Sequence, residues 1–321
     1  MRLFGEKRRY EVIAAEACEE WACELQEKHP EFFRFHKTKW DKFPDGTDKI
    51  VVGGFHPVNC LRGKHVIFLA SFHDNSTTLS QLYVCITLLE SLIESLTIVM
   101  PFYPVGTMER VIVEGEVATA NTLARLLSSL PTCGRTTRVM LYDLHTLQNR
   151  FYMSNNAVAT MHSTIPLLLA ELARQPEGEK FDCIAFPDDG AAKRFGSMFP
   201  EAQFHIVVCG KKREGDVRKV NIMDGEAAGK NIVIVDDLVQ TGGTLYECGK
   251  VLKEAGANKV AAFVAHGVFP NDSWKKFAKG GARDVFYPFW LSNSIPTSTR
   301  KLPKGDNFIV LDILPQIMDD L

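Results

Sequence analysis

The chain has 321 residues, 45% of them hydrophobic and 24% charged, which excludes wholesale disorder and gives enough length for two domains of ordinary size. Its 37 basic and 39 acidic residues leave a formal charge of −2, a balance that argues against a protein built to coat nucleic acid or an acidic membrane. No signal-peptide pattern and no apolar run long enough for a membrane span occurs, and the eight cysteines form no C-x-x-C pair, so the expectation is a cytoplasmic protein with small buried thiols.

In chain order, short β-branched runs alternate with amphipathic stretches. The pattern predicts a strand at His65–Ala70, a helix at Ser76–Glu94, a strand at Ser95–Phe102, a helix at Val117–Leu130 and a strand at Thr137–Asp143. A polar segment, Gln148–Asn156, follows and marks a candidate domain boundary. Beyond it come a helix at Thr164–Arg174, a strand at Phe181–Phe186, a helix at Ala191–Phe199, strands at Phe204–Cys209 and Asn231–Asp236, a helix at Thr244–Ala255 and a strand at Val260–His266. Strand–helix alternation of this kind means an α/β fold with mostly parallel sheets flanked by helices. Both halves run strand, carboxylate-bearing turn, helix, so the expectation is two similar domains. Ligands of such sheets bind at the carboxyl ends of strands.

The sharpest motif is Asn231-Ile-Val-Ile-Val-Asp-Asp-Leu-Val-Gln-Thr-Gly-Gly-Thr244. Its apolar residues form a buried strand, Asp236 and Asp237 end it, and Thr241-Gly242-Gly243-Thr244 opens a helix. Glycines let backbone N–H groups approach an anion closely, and a helix start adds free donors and a favourable dipole. The loop is therefore expected to hold a phosphate. The acids repel that phosphate and are better placed to accept hydrogen bonds from sugar hydroxyls. Together they predict a sugar phosphate. A plain strand–turn–helix with threonine capping is the competing reading.

This element resembles the phosphoribosyl-diphosphate loop shared by type I phosphoribosyltransferases and ribose-phosphate diphosphokinases. Three more segments favour the latter: Tyr142-Asp-Leu-His145, Phe186-Pro-Asp-Asp-Gly190 and Ala265-His-Gly-Val268 resemble that family's Asp-Leu-His motif, pyrophosphate loop and Thr-His-Gly-Val segment. The resemblance covers about Phe43 to Pro296. It implies two phosphoribosyltransferase-like domains. The first is expected over residues 1–156, completed by 307–321, with the ATP side and subunit contacts. The second is expected over 157–306, with the ribose 5-phosphate and diphosphate loops.

The implied reaction moves the β,γ-diphosphoryl group of ATP to the anomeric hydroxyl of ribose 5-phosphate, releasing AMP, with positioning and charge neutralisation doing most of the work. The resemblance implies that Lys211 and Arg213 are catalytic, in a flexible basic loop. Asp236, Asp237, Thr241, Gly242, Gly243 and Thr244 would bind ribose 5-phosphate. Asp188, Asp189 and Gly190 would bind diphosphate, with a capped Asp-rich turn as the alternative. Phe43, Asp45, Arg110 and His145 would contact ATP, with Phe43 stacking on the adenine of a neighbouring subunit. The implied cofactor is Mg²⁺, at His145, Asp143 and Asp188. The implied assembly is a homo-oligomer of dimers building a hexamer, with no nucleic-acid or membrane partner.

Some segments depart from the commoner family pattern. Thr47 stands where Glu is usual, Pro101–Arg110 replaces a loop rich in arginine and glutamine, Gln240 stands where many members have Asp, and Phe289-Trp-Leu-Ser-Asn293 is more aromatic. These features resemble the family's second class, similar to plant enzymes that do not need inorganic phosphate and accept donors besides ATP. Two other readings stay open, a phosphoribosyltransferase and a catalytically silent associated subunit. Lys211, Arg213, Asp236 and Asp237 favour activity.

Overall fold

The computed structural model describes residues 9–154, 156–214 and 217–321; of residues 212–214 and 217–219 it describes the backbone alone. The chain forms two compact units, residues 1–162 and 163–321.

The first unit contains β1 (Tyr10–Ala14), α1 (Glu19–Lys28), β2 (Phe33–Phe35), β3 (Lys39–Lys42), β4 (Asp48–Val51), β5 (His65–Leu69), α2 (Asn75–Glu90), β6 (Ser95–Met100), α3 (Thr119–Ser128), β7 (Thr137–Tyr142) and β8 (Ala157–His162). Six strands pair in the order β2-β1-β5-β6-β7-β8, all parallel. In β5 the side chains of Val66 and Phe68 join one apolar cluster, while Ile67 and Leu69 are equally buried on the opposite face. Burial on both faces is what a parallel sheet covered by helices requires, and each such side chain contributes roughly 1.5–3 kcal/mol. Outside this sheet, β3 and β4 make a separate antiparallel hairpin.

The second unit contains α4 (Ile165–Ala173), β9 (Cys183–Phe186), α5 (Asp189–Phe195), β10 (His205–Glu214), β11 (Val217–Asp224), β12 (Asn231–Val239), α6 (Gly243–Glu254), β13 (Lys259–Gly267), β14 (Phe289–Ser292), α7 (Pro296–Thr299), β15 (Phe308–Leu311) and α8 (Leu314–Asp320). Seven strands pair in the order β11-β10-β9-β12-β13-β14-β15. Only the β10–β11 pair is antiparallel. Alternate residues of β12 feed two cores: Ile232 and Ile234 pack on one face, Val233 and Val235 on the other. The observed class is the expected one, α/β with parallel sheets flanked by helices.

Two expectations about the domains change. The first unit does not end in the polar segment 148–156: β8 follows it and pairs in register with β7, so the division falls after His162. The C-terminal segment 307–321 does not complete the first unit. Its β15 hydrogen-bonds to β14 as the edge of the second sheet. The basic run after Cys209 is also no open loop, because β10 runs through Lys211 and pairs with β11. Among the described residues, no helix is long and apolar enough to cross a membrane.

Candidate active site

The buried stretch Ile232–Val235 fixes β12 in the sheet centre, between β9 and β13. Its far end carries Asp236, half-buried, and Asp237, only 7% exposed. Each carboxylate accepts a backbone N–H from the next residue: Asp237 N donates to Asp236 Oδ1 and Leu238 N to Asp237 Oδ1, both at 2.9 Å. Burial, and then the neighbouring Asp237 carboxylate, pushes the Asp236 carboxyl well above its ordinary range. Asp188, at the end of the adjacent β9, adds to the same push.

Beyond β12 the chain turns through Gln240 and Thr241 into α6. Gly242 adopts φ +68°, and a Cβ there would lie 2.2 Å from Phe277 Cζ. Only glycine meets both conditions. Among the described residues, no side chain caps α6, so its first-turn N–H groups are not taken up by a capping side chain. Two downstream side chains brace this turn. Arg283 Nη1 donates to Thr241 O at 2.6 Å, with its guanidinium over the Tyr246 ring at 5.4 Å, and Ser273 Oγ donates to Gln240 O at 2.7 Å. Neither brace is visible in the residue pattern, because both lie more than a helix away along the chain.

Lys211, exposed on β10, donates from Nζ to Thr244 Oγ1 at 3.3 Å. The structure thus brings one expected catalytic cation to the expected phosphate loop. The side chain of Arg213, like that of Lys212, lies outside the described residues. Asp188 Oδ1 accepts from Ala191 N at 2.9 Å and caps α5, while Asp189 pairs with Lys193 at 2.5 Å. Gly190 sits in the same first turn. The turn expected to cradle diphosphate is therefore a capped helix start in which one amide is already engaged.

In the first unit, Phe43 and Asp45 lie at the tip of the β3–β4 hairpin. The Phe43 ring is 47% exposed, with Lys49 Nζ 5.6 Å from its centroid. Thr47 donates its N–H and its hydroxyl to Asp45 Oδ1, at 2.9 and 2.6 Å. These bonds lower the Asp45 pKa. Thr47, a departure from the family pattern, fixes the aspartate beside it. At the end of β7, Asp143 takes φ +39°, an uncommon conformation for a residue with a side chain. The kink buries Asp143 and Leu144 and leaves His145 exposed. Asp143 is thus fully buried beside the exposed His145. Arg110 is exposed and pairs with Glu109 at 3.2 Å. His266 is buried, with Nδ1 2.9 Å from Ser294 Oγ. Among the described residues, no group of three or more His, Cys, Asp or Glu side chains is arranged to hold a metal by itself.

A mostly parallel sheet whose central strand ends in paired acids and runs into a glycine turn at a helix start is an α/β scaffold of the kind that meets ligands at its strand ends. A family model described as "phosphoribosyl transferase domain" matches residues 161–280. Ribose-phosphate pyrophosphokinase 4 of Oryza sativa subsp. japonica is 41% identical over 319 residues, covering 98% of this chain and 96% of its own. The Arabidopsis thaliana protein of the same name is 40% identical over 319 residues, covering 98% and 93%. The crystal structure of phosphoribosylpyrophosphate synthetase from Mycobacterium smegmatis has the same fold, with TM-score 0.78 at 21% identity over 98% of this chain and 97% of that one. The chain belongs to the ribose-phosphate pyrophosphokinase family, also called the diphosphokinases.

Two outcomes test this geometry. Gly242→Ala adds both a left-handed backbone cost and a clash with Phe277, so it should destabilise the protein by roughly 2–4 kcal/mol in urea unfolding. Unchanged stability would show that the turn is not confined. Asp236→Asn keeps the oxygen that accepts from Asp237 N and removes the charge. An unfolded aspartate ionises near pH ~4, whereas native Asp236 ionises higher. The native state therefore binds more protons between the two values, and stability falls as pH rises through that window. The melting temperature of Asp236→Asn should match the parent near pH ~4 and exceed it by roughly 2–4 °C per kcal/mol gained once pH passes the native value. A constant difference across pH would remove the electrostatic strain from the site.

Proposed function

We propose that the chain transfers the diphosphoryl group of ATP to the anomeric hydroxyl of ribose 5-phosphate, giving phosphoribosyl diphosphate and AMP for nucleotide synthesis. The observation that carries this reading is the second-unit cluster of Asp236, Asp237, the Thr241–Thr244 turn and Lys211. In it the amides and hydroxyls of Thr241, Gly242, Gly243 and Thr244 take the 5-phosphate. Asp236 and Asp237 accept from the ribose hydroxyls. Lys211 supplies positive charge where the diphosphoryl group gathers negative charge. Arg213 is proposed for the same task by family resemblance alone. Asp188, Asp189 and Gly190 are proposed for diphosphate, and Phe43, Asp45, Arg110 and His145 for ATP.

Mg²⁺ suits the donor set. The Asp236 carboxyl, pushed up by burial and by Asp237 and Asp188, gains from a nearby cation, and Mg²⁺ commonly takes one or two carboxylates together with substrate phosphates. Asp188 is the proposed carboxylate contact in the second unit, with His145 proposed at the nucleotide-bound ion. When bound, Mg²⁺ neutralises phosphate charge and orients the transferred group. The exposed ring of Phe43 on a hairpin tip supports a contact with a neighbouring subunit, hence a homo-oligomer of dimers building a hexamer. The plant relatives support the second class, which needs no inorganic phosphate. A cytoplasmic location agrees with eight free thiols.

Lys211→Ala should lower AMP formation by roughly a hundred- to a thousandfold in steady-state turnover while ribose 5-phosphate binding by calorimetry stays close to the parent. Equal losses in binding and turnover would make the lysine a ground-state contact. Incubation with ribose 5-phosphate, Mg²⁺ and each nucleoside triphosphate, with and without inorganic phosphate, should release monophosphate from more than one donor and without phosphate. Strict dependence on phosphate would exclude the second class, and no release from any donor would leave a silent subunit.

A further inference from the structure

At the base of the β3–β4 hairpin in the first unit, Glu11, His36 and Cys60 lie in contact range of one another. Glu11 and His36 are 5% and 9% exposed, and His36 Nε2 lies 2.5 Å from Glu11 Oε2. A carboxylate only accepts, so in the tautomer that donates to Glu11 the hydrogen sits on Nε2 and Nδ1 carries the lone pair. That Nδ1 lies 4.0 Å from Cys60 Sγ. Cys60 is half-buried beside the exposed residues His56, Pro57 and Val58, and its thiol donates to Gly54 O at 3.1 Å. Two other cysteines, Cys23 and Cys133, are also half-buried. Among the described residues, no imidazole is recorded against either sulfur; Cys133 donates to Arg135 O at 3.9 Å.

We propose that Cys60 is a modification site, a nucleophilic thiol that His36 deprotonates and Glu11 orients, and that it takes up a low-molecular-weight disulfide such as oxidised glutathione. A thiol within reach of an imidazole whose other nitrogen is held by a carboxylate has the arrangement that activates cysteine nucleophiles. Rotation of the S–H from Gly54 O towards Nδ1 passes its proton to the ring. The sulfur then attacks one sulfur of the disulfide: a Cys60–glutathione S–S bond forms, the glutathione S–S bond breaks, and the departing thiolate takes the proton from the imidazolium. Cys60 is oxidised and one glutathione sulfur is reduced, so electrons balance. Glu11 is a positioning residue.

The adduct has little room. A Cβ at Gly53 would lie 2.5 Å from Lys37 O, and one at Gly54 would lie 3.2 Å from His36 Cγ, so this loop is packed directly on the chain that enters β3. A tripeptide on Cys60 would lift the loop from His36 and loosen the hairpin that carries Phe43 and Asp45. That consequence for nucleotide use rests on the proposed function, but the chemistry of the thiol does not.

The test treats the whole folded protein with oxidised glutathione and follows each cysteine-containing peptide by mass spectrometry, so that Cys23 and Cys133 serve as comparators inside the same molecule. The expected result is mixed disulfide at Cys60 forming at least about tenfold faster than at either comparator. In His36→Asn and Glu11→Gln, checked for folding by circular dichroism, Cys60 should fall towards the comparators while these keep their rates. A Cys60 rate no greater than that of Cys23 or Cys133 in the parent overturns the proposal, and needs no variant to be folded. Full Cys60 reactivity in either folded variant overturns the role of that residue as base or positioner. Because no substrate is present, an inactive enzyme does not affect the result.

Discussion

The second unit is organised around carboxylates placed where they repel one another. Asp236 and Asp237 are adjacent in the chain, and Asp188 ends the neighbouring strand, so the sheet brings like charges together in a partly buried place. Nothing local favours this. The apolar residues of β9 and β12 impose it, because Ile184 and Phe186 and then Ile232 to Val235 are buried and fix where each strand ends. The electrostatic cost is offset by burial elsewhere, as expected where function and stability compete. The same raised proton affinity at Asp236 would be relieved by a hydroxyl donor or a cation placed beside it.

The same strand ends hold the positive side of the site. Because β10 pairs with both β9 and β11, Lys211 is carried on a two-stranded ribbon rather than on an open loop. Its ammonium reaches Thr244, at the start of the helix whose glycine is pressed against Phe277. Phe277 and Arg283 fix the turn from beneath and behind, by sterics in one case and by a hydrogen bond to Thr241 O in the other. The turn's amides are thereby held rigid, and rigid donors bind a ligand at less entropic cost than donors that must be ordered on binding.

The sequence showed the centre of each sheet because those strands are short, continuous apolar runs. The β12 motif carried its own stop signals, the paired acids and the glycine turn, so strand, site and helix were legible together. The edges were harder to see. β8 is only half-buried, and β15 shows a single buried residue, so neither has the composition of a core strand. Hence neither the end of the first unit after β8 nor the place of β15 in the second sheet is visible in the residue pattern. The strand through Lys211 was not legible because its basic residues carry no apolar alternation. Arg283 and Ser273 act on the phosphate turn through tertiary contact alone, and no periodicity reports that.

The first unit places exposed groups by a different device. At the end of β7 an uncommon backbone at Asp143 sends Leu144 inward and His145 outward, so one buried side chain anchors the turn that presents its neighbour. At the hairpin tip Thr47 pins Asp45 with two hydrogen bonds, and at the hairpin base Gly53 lies against the carbonyl of Lys37. In each case the exposed group is oriented by contacts that are local, short and dependent on one residue type. This explains why a threonine where the family pattern has an acid need not weaken the tip. Where the family pattern has a second charge, this tip has one aspartate held in a fixed direction, so its surface is set by where that carboxylate points rather than by how many charges it carries.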